Sequence, residues 1–188
     1  MSMRKPSASV LATAAVMLWA NAAQCQHRMS PDNLAPFVPT PEAVVDKMLT
    51  AAELKPGETL YDLGCGDGRI LFEAAQKFGA RAVGVELSSK LVQGVADKVQ
   101  SLGLQDQIKV IEGNFLDVSL RPADVVTLYL LRLANEKLKP NLKKQLKPGA
   151  RVVSHDYEIV GWKPDRVDRV VVYQRAHTIY VYRMPPTE

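Results

Sequence analysis

Short apolar runs alternate with longer amphipathic stretches along most of the chain. The apolar runs at 59–63, 81–86, 108–112, 123–131 and 151–155 have the length and composition of buried strands. Between them, apolar residues recur every three to four positions and predict helices over about 41–52, 69–78, 89–103 and 135–146. Thr40 and Pro41 suit the N-cap and first turn of the first helix, and Pro140 predicts a kink or a split in the last one. Strands that alternate with helices predict an α/β fold with a doubly wound parallel sheet.

The chain ends in two runs with alternating apolar and polar residues, at 167–173 and 177–182. A short turn separates them, which is typical of a hairpin. The hairpin brings the predicted total to seven strands and adds one antiparallel strand. We therefore expect a Rossmann-like, mostly parallel seven-stranded sheet with a C-terminal antiparallel hairpin.

The first residues have the pattern of an export signal. Arg4 and Lys5 precede an apolar run at 8–20, and the small residues at 20–23 offer a cleavage site. The run is too short for a stable membrane span. We predict a signal peptide over 1–23, a proline-containing linker over 24–39 and one domain over 40–184, in an exported or periplasmic protein. The alternative is a cytoplasmic protein that starts at Met29.

The charge of the chain is concentrated at its start. The net charge is +4, but residues 1–30 hold three basic residues and no acidic one. Without these three, 21 of the 24 basic residues remain against 20 acidic ones. The sequence also has no basic tract interleaved with aromatic residues, so it implies no nucleic-acid partner. Two cysteines imply no disulfide framework.

Residues 61–70 read Tyr-Asp-Leu-Gly-Cys-Gly-Asp-Gly-Arg-Ile and join the first strand to the second helix. Gly64, Gly66 and Gly68 allow a tight turn on which a ligand can lie against bare backbone. Arg69 stands where the dinucleotide spacing G-x-G-x-x-G needs a glycine. Asp62 and Asp67 would repel a pyrophosphate and attract a sulfonium with an amino group. The loop therefore favours S-adenosylmethionine over NAD, with a turn that binds no ligand as the alternative.

Ligands of doubly wound sheets bind at the carboxyl ends of the strands. Glu86 ends the second strand, where a carboxylate can accept both ribose hydroxyls. Asn114 and Phe115 follow the third strand and could bind the adenine edge and stack on its face. A solvated acid and ordinary packing are the alternatives for these residues.

The ends of the fourth and fifth strands are predicted to face the substrate. Thr127 and Tyr129 could orient a nucleophile there, or Tyr129 could be a buried core residue. His155 ends the fifth strand, and a lone histidine at such a position is more often structural. Neither His155 nor Cys65 has the sequence partners of a metal site or a Cys–His nucleophile, so we predict no metal.

Residues 62–68 followed by Val85-Glu86-Leu87 resemble the class I S-adenosylmethionine-dependent methyltransferases. Segments 36–41, 61–70, 125–131 and 152–155 are together similar to a smaller group within that class. This group contains archaeal broad-specificity protein-lysine methyltransferases and mitochondrial enzymes that methylate the ATP-synthase c-subunit. The resemblance covers residues 36–183. Phe37 and Arg132 depart from the group's pattern, in which Tyr and Pro are common at these positions.

The resemblance implies an S-adenosylmethionine-dependent N-methyltransferase that acts on lysine side chains of a protein substrate. It also implies that residues 36–41 fold over the cofactor. The alternatives are a small-molecule methyltransferase on the same fold and an exported, non-catalytic nucleotide-binding protein. Tyr129, Thr127 and His155 are the predicted substrate-orienting residues. The predicted cofactor contacts are Thr40, Asp62, Gly64, Cys65, Gly66, Asp67, Gly68, Glu86, Asn114 and Phe115.

Overall fold

The computed structural model describes residues 37–187; the predicted signal peptide and residues 24–36 of the predicted linker lie outside this range. The described residues form four helices and seven strands. The helices are α1 (Glu42–Ala51), α2 (Arg69–Gln76), α3 (Ser89–Ser101) and α4 (Arg132–Gln145). The strands are β1 (Thr59–Leu63), β2 (Arg81–Glu86), β3 (Ile108–Glu112), β4 (Val125–Leu128), β5 (Arg151–His155), β6 (Arg166–Val172) and β7 (Arg175–Arg183).

All seven strands belong to one sheet with the order β3-β2-β1-β4-β5-β7-β6. Strands β1 to β5 pair in parallel, and β7 is antiparallel to both of its neighbours. The predicted fold class is thereby confirmed. Tyr173 and Gln174, both with positive φ, form the two-residue turn of the C-terminal hairpin. Strand order reverses between β1 and β4, so the ligand crevice of this architecture lies at the carboxyl ends of these two strands.

Helices cover both faces of the parallel strands. Leu60 of β1 packs with apolar residues of α1, α2 and α3. Leu63 of the same strand packs with residues of α4 in a second core cluster. Alternate side chains of a strand point to opposite faces, so each central strand contributes to both clusters. This two-sided burial explains why β4 is buried throughout and is apolar at every position except Thr127.

Three predicted boundaries are corrected. The N-cap of α1 is Pro41, in an extended conformation, so the helix begins at Glu42 and Thr40 lies outside it. Strand β4 ends at Leu128, three residues before the predicted end at 131. Helix α4 begins at Arg132 and continues through Pro140 without splitting, with Leu131 in an extended N-cap conformation. The chain therefore leaves the sheet early and turns at once into a helix beside the crevice.

Within residues 37–187, none of the helices combines the length and apolar character needed to cross a membrane.

Candidate active site

The glycine loop, residues 64–68, joins β1 to α2 at the crevice. Gly64, Gly66 and Gly68 all have positive φ, at 82°, 57° and 76°. A Cβ at Gly66 would lie 2.7 Å from Cδ2 of Phe37, so the aromatic ring covers the loop closely. Only glycine combines this backbone conformation with so close an approach. The start of the described chain thus lies on the loop.

Glu86 at the end of β2 is held by the loop backbone. Its Oε2 accepts a hydrogen bond from the Gly66 N–H at 3.0 Å, and its Oε1 accepts one from the Ser88 N–H at 2.9 Å. A carboxylate has about four acceptor positions, so each oxygen keeps a lone pair for another donor. Glu86 is therefore fixed in position and still able to accept the two hydroxyls of a ribose.

Asp62 is almost completely buried beside the loop, with 3% of its surface exposed. Burial raises its pKa to about 7; the Thr127 hydrogen bond opposes this rise, and the charges of Glu86 and Asp67 add to it. Thr127 donates that hydrogen bond from Oγ1 to Asp62 Oδ1 at 2.8 Å. A cationic amino group next to Asp62 would favour the ionised carboxylate. The site thus offers such a group a buried acid that gains its charge when the ligand binds.

Asp67 does not contribute a free charge, in contrast to the electrostatic argument from sequence. Arg69 binds it through Nη2–Oδ2 at 2.6 Å and Nε–Oδ1 at 2.9 Å. The hydrogen bond from Arg69 lowers the pKa of Asp67. Arg69 Nη1 also donates to the Thr40 carbonyl oxygen at 2.7 Å. Asp67 and Arg69 therefore fasten the segment before α1 to the glycine loop, and the loop's attraction for a cation comes from Asp62 and Glu86.

The side chain of Cys65 lies in the core rather than in the crevice. A Cβ at Gly84 of β2 would lie 2.6 Å from Cys65 Sγ, so the thiol occupies space that Gly84 leaves open. Burial, with the nearby charge of Asp62, raises the pKa of the thiol above its usual range. The Cys65 N–H donates to the Val85 carbonyl oxygen at 3.1 Å. Cys65 thus packs the loop onto β2, and only its backbone borders the cofactor site.

Asn114 and Phe115 follow β3, next to the end of β2. Asn114 Oδ1 accepts a hydrogen bond from the Leu116 N–H at 3.0 Å, which closes a turn. The Gly113 N–H donates to the Glu86 carbonyl oxygen at 2.9 Å and fastens this turn to β2. Phe115 is half-buried against the α4 side of the core. The side-chain amide nitrogen of Asn114 can donate to a base edge while Oδ1, which has a second lone pair, keeps the turn closed.

Thr127 and Tyr129 have different environments, although both lie on β4 or just beyond it. Thr127 is fully buried and its hydroxyl binds Asp62, so it acts on the cofactor side through that acid. Thr127 pairs with Val153 in the sheet. Continuing this register by two residues brings Tyr129 opposite His155, and their ring centroids are 3.9 Å apart. Of the two predicted hydroxyl groups, the phenol is the one beside the substrate-facing strand ends.

His155 has partners that the sequence analysis missed. It is fully buried, and its Nε2 lies 2.9 Å from His177 Nδ1 on β7. Its Nδ1 lies 3.4 Å from Thr40 Oγ1, and Asp156 approaches from the adjacent position. Burial lowers the pKa of His155 to about 4, although the charge of Asp156 raises it. The prediction of a lone histidine is therefore wrong: His155 is a neutral member of a buried cluster.

Comparison with known proteins identifies the family. A family model described as the ANTKMT methyltransferase domain matches residues 62–166, which is more than half of the chain. The chain belongs to the ANTKMT methyltransferase family. The match includes the glycine loop, Glu86, Asn114 and the ends of β4 and β5.

Two curated relatives and one solved structure agree with this assignment. A protein-lysine N-methyltransferase of Saccharolobus islandicus is 45% identical over 148 residues, which is 78% of this chain and 92% of that protein. The adenine nucleotide translocase lysine N-methyltransferase of mouse is 32% identical over 163 residues, or 83% of this chain and 70% of that one. The crystal structure of an RNA methyltransferase from Salinibacter ruber with S-adenosyl-L-homocysteine superposes with a TM-score of 0.73 at 42% identity, over 79% of this chain and 94% of that one.

This ANTKMT-family chain is an S-adenosylmethionine-dependent methyltransferase, as predicted. Its residues fit the cofactor on structural grounds as well. Asp62 offers a buried acid of raised pKa, and Glu86 offers oxygens with lone pairs to spare. The glycine loop lies next to both, and the Phe37 ring lies over its Gly66.

Proposed function

We propose that this chain transfers the methyl group to the side-chain amine of lysine in a protein substrate. The observation that carries the proposal is the 45% identity to the Saccharolobus protein-lysine N-methyltransferase over nearly its whole length. The mouse relative, also a lysine methyltransferase by name, supports the same substrate class. The crevice adds a phenol and a neutral imidazole at the ends of β4 and β5.

In this proposal, the ends of β1 and β2 bind the cofactor, and the end of β4 orients the substrate amine. S-adenosylmethionine, when bound, supplies a methyl that is already electrophilic. Glu86 holds the ribose and Asp62 holds the amino group, because these are the acids beside the glycine loop. At the next strand end, the Tyr129 oxygen accepts a hydrogen bond from the incoming amine and points the nitrogen lone pair toward the methyl. Burial, with the charge of Asp156 adding to it, raises the pKa of Tyr129, so the phenol keeps its proton.

The chain needs no strong base for this reaction. A lysine ammonium can lose its proton to water before the attack, and the enzyme then contributes mainly proximity and orientation. His155 beside Tyr129 is neutral at pH 7 because its pKa is lowered to about 4. A neutral imidazole adds no positive charge against the incoming amine.

RNA is the second candidate substrate, because the Salinibacter structure is named an RNA methyltransferase and is 42% identical. The charge balance favours protein. Residues 31–188 hold 21 basic and 20 acidic residues, whereas RNA binding depends on a clear excess of basic groups.

A tritiated-methyl assay separates these substrates. The full chain is incubated with labelled S-adenosylmethionine and cell lysate, which is then divided into protein, RNA and small-molecule fractions. We expect label that resists ribonuclease, is released by protease and elutes as methyl-lysine after acid hydrolysis. Label in RNA or in small molecules would overturn the lysine assignment. Binding of S-adenosylmethionine with no label in any fraction would indicate a non-catalytic binding protein.

We further propose export, on the basis of the signal-like pattern over residues 1–23. Mass spectrometry of the protein from its native host tests this. A mature chain that begins near Ala23 supports export. A chain that begins at Met29 or Ser30 supports the cytoplasmic alternative, and an intact Met1 in the membrane fraction contradicts both.

A further inference from the structure

Three potential metal ligands converge where β5 meets β7. They are Nε2 of His155, Nδ1 of His177 and Oδ2 of Asp156. The two nitrogens are 2.9 Å apart, the carboxylate oxygen is 3.2 Å from His177 Nδ1, and it is 3.4 Å from His155 Nε2. We call these three residues the His–Asp cluster. Each atom lies within hydrogen-bond range of the other two, so the three atoms form a triangle.

Hydrogen atoms alone do not satisfy this triangle if the Asp156 carboxylate is ionised. If His155 donates to His177, the bare His177 nitrogen faces the ionised Asp156 oxygen. If His177 donates instead, its single hydrogen is shared between two acceptors, His155 Nε2 and Asp156 Oδ2. These two acceptor atoms then face each other with no hydrogen between them. If both nitrogens carry hydrogens, the two donors meet at 2.9 Å. Every arrangement with an ionised carboxylate therefore leaves one contact between like groups.

A single cation in the centre satisfies all three atoms at once. We propose that the His–Asp cluster binds one divalent transition-metal ion of the zinc type. Tetrahedral zinc bonds of about 2.0–2.2 Å place neighbouring ligand atoms about 3.3 Å apart. The three separations within the cluster, 2.9, 3.2 and 3.4 Å, bracket this spacing. Two imidazoles and one carboxylate also suit zinc and related ions better than magnesium.

The surroundings hold the ligands in place from outside. His155 Nδ1 lies 3.4 Å from Thr40 Oγ1, and this second nitrogen is the one that a metal-bound histidine uses for an outer hydrogen bond. Asp156 Oδ1 accepts from the Thr178 N–H at 2.9 Å, which leaves Oδ2 for the ion. Three protein ligands leave the fourth tetrahedral position open. The ion would join the end of β5 to the hairpin, next to Tyr129.

Arg175 competes with the ion for Asp156. Its Nη2 lies 3.3 Å from Asp156 Oδ2, and its side chain is 64% exposed. A long exposed side chain can leave this contact without unfolding any structure. Metal binding therefore requires Arg175 to move away, and removal of the guanidinium favours the ion.

Calorimetric titration of the full chain with Zn²⁺, with Mg²⁺ as the comparison, tests the proposal without S-adenosylmethionine. We expect one Zn²⁺ per chain at the cluster and no Mg²⁺ there. His177→Gln and Asp156→Asn are each expected to weaken Zn²⁺ binding by about tenfold or more. Asp97→Asn is the matched control, because it removes an exposed carboxylate on α3, which packs against β2 and β3, and should leave the affinity unchanged. Arg175→Gln should tighten binding.

Substitution of Zn²⁺ by Co²⁺ gives a second measurement. Visible absorption typical of tetrahedral Co²⁺ is expected for the wild type and is expected to be lost in Asp156→Asn. Circular dichroism shows which variants fold. If His177→Gln does not fold, the expected tighter binding by Arg175→Gln still tests the proposal. The proposal is overturned if the wild type binds no Zn²⁺, or if Asp156→Asn binds Zn²⁺ as tightly as the wild type does. Such failure leaves the methyltransferase assignment untouched, because no methyl transfer is measured.

Discussion

The hydroxyl of Thr127 is predicted to set the pH dependence of cofactor binding. Thr127→Val keeps the side-chain shape but removes the hydrogen bond from Oγ1 to Asp62 Oδ1, which is 2.8 Å long. Asp62 has its pKa raised to about 7 by burial, and this hydrogen bond restrains the rise. An amino group binds the ionised form of Asp62, so affinity for S-adenosylmethionine should increase as pH rises through about 7. Thr127→Val should move that inflection upward.

The size of the change follows from the hydrogen bond that is lost. A hydrogen bond to a charged group contributes about 1.5–3 kcal/mol, and about 1.4 kcal/mol corresponds to one pH unit. The inflection should therefore rise by about one to two pH units. At pH 7 the ionised fraction of Asp62 would fall from about one half to about one tenth or less, so binding would weaken about fivefold or more. At high pH the two proteins should converge.

Isothermal titration with S-adenosylmethionine between pH 6 and pH 9 measures this effect. Thr127→Ser is the matched control, because it keeps the hydroxyl and should keep the inflection. Thermal unfolding without ligand gives an independent check. Because the folded protein holds a proton on Asp62 that the unfolded chain releases, stability should fall as pH rises from 3.8 to about 7, and Thr127→Val should extend the fall upward.

One result would refute this reasoning. If Thr127→Val and wild type have superimposable affinity profiles and differ only in kcat, then Thr127 acts on the substrate and not through Asp62. That outcome would restore the role of substrate-orienting residue predicted from the sequence.

Three further substitutions test the remaining parts of the crevice. Glu86→Ala should weaken S-adenosylmethionine binding by about 1–3 kcal/mol without loss of the fold, and unchanged affinity in calorimetry would remove Glu86 from the site. Gly66→Val should abolish binding, because its side chain would strike the Phe37 ring from a backbone with φ of 57°; Gly94→Ala, which has open space in α3, is the control that should bind normally. Tyr129→Phe should lower kcat by about tenfold, or about 1.4 kcal/mol, with S-adenosylmethionine affinity unchanged; a wild-type kcat would show that Tyr129 only packs the core.

The sequence predicted those parts of the fold that local signals specify. Strands β1, β2, β3 and β5 have the predicted bounds, because each apolar run ends at a glycine, a charged residue or a loop. Strand β4 was predicted too long, because the apolar run continues through Leu131 without a breaker. The chain leaves the sheet before Tyr129, whose ring stacks on His155 of the neighbouring strand. Tertiary packing decides where β4 ends, and the local amino-acid sequence does not show this packing.

In the candidate site, too, the residues specified by local sequence signals were predicted, and those that depend on tertiary contacts were missed. Asp62 and Glu86 could be predicted because their positions at strand ends follow from the strand pattern itself. The bond from Arg69 to Thr40 and the contact between His155 and His177 join residues 29 and 22 positions apart. The second contact also depends on β7 lying beside β5 in one particular register. No local pattern in the sequence specifies that register, so His177 and the role of Arg69 were missed.

Because Cys65 is buried, its reactivity can be used to measure how often the glycine loop opens. The thiol is sealed against Gly84, and its raised pKa keeps it in the unreactive protonated form. It is the one cysteine among residues 37–187. An alkylating reagent can reach it only when the loop separates from β2. The rate at which Cys65 is alkylated therefore reports how often the glycine loop separates from β2. A bound ligand that holds the loop against β2 should lower this rate.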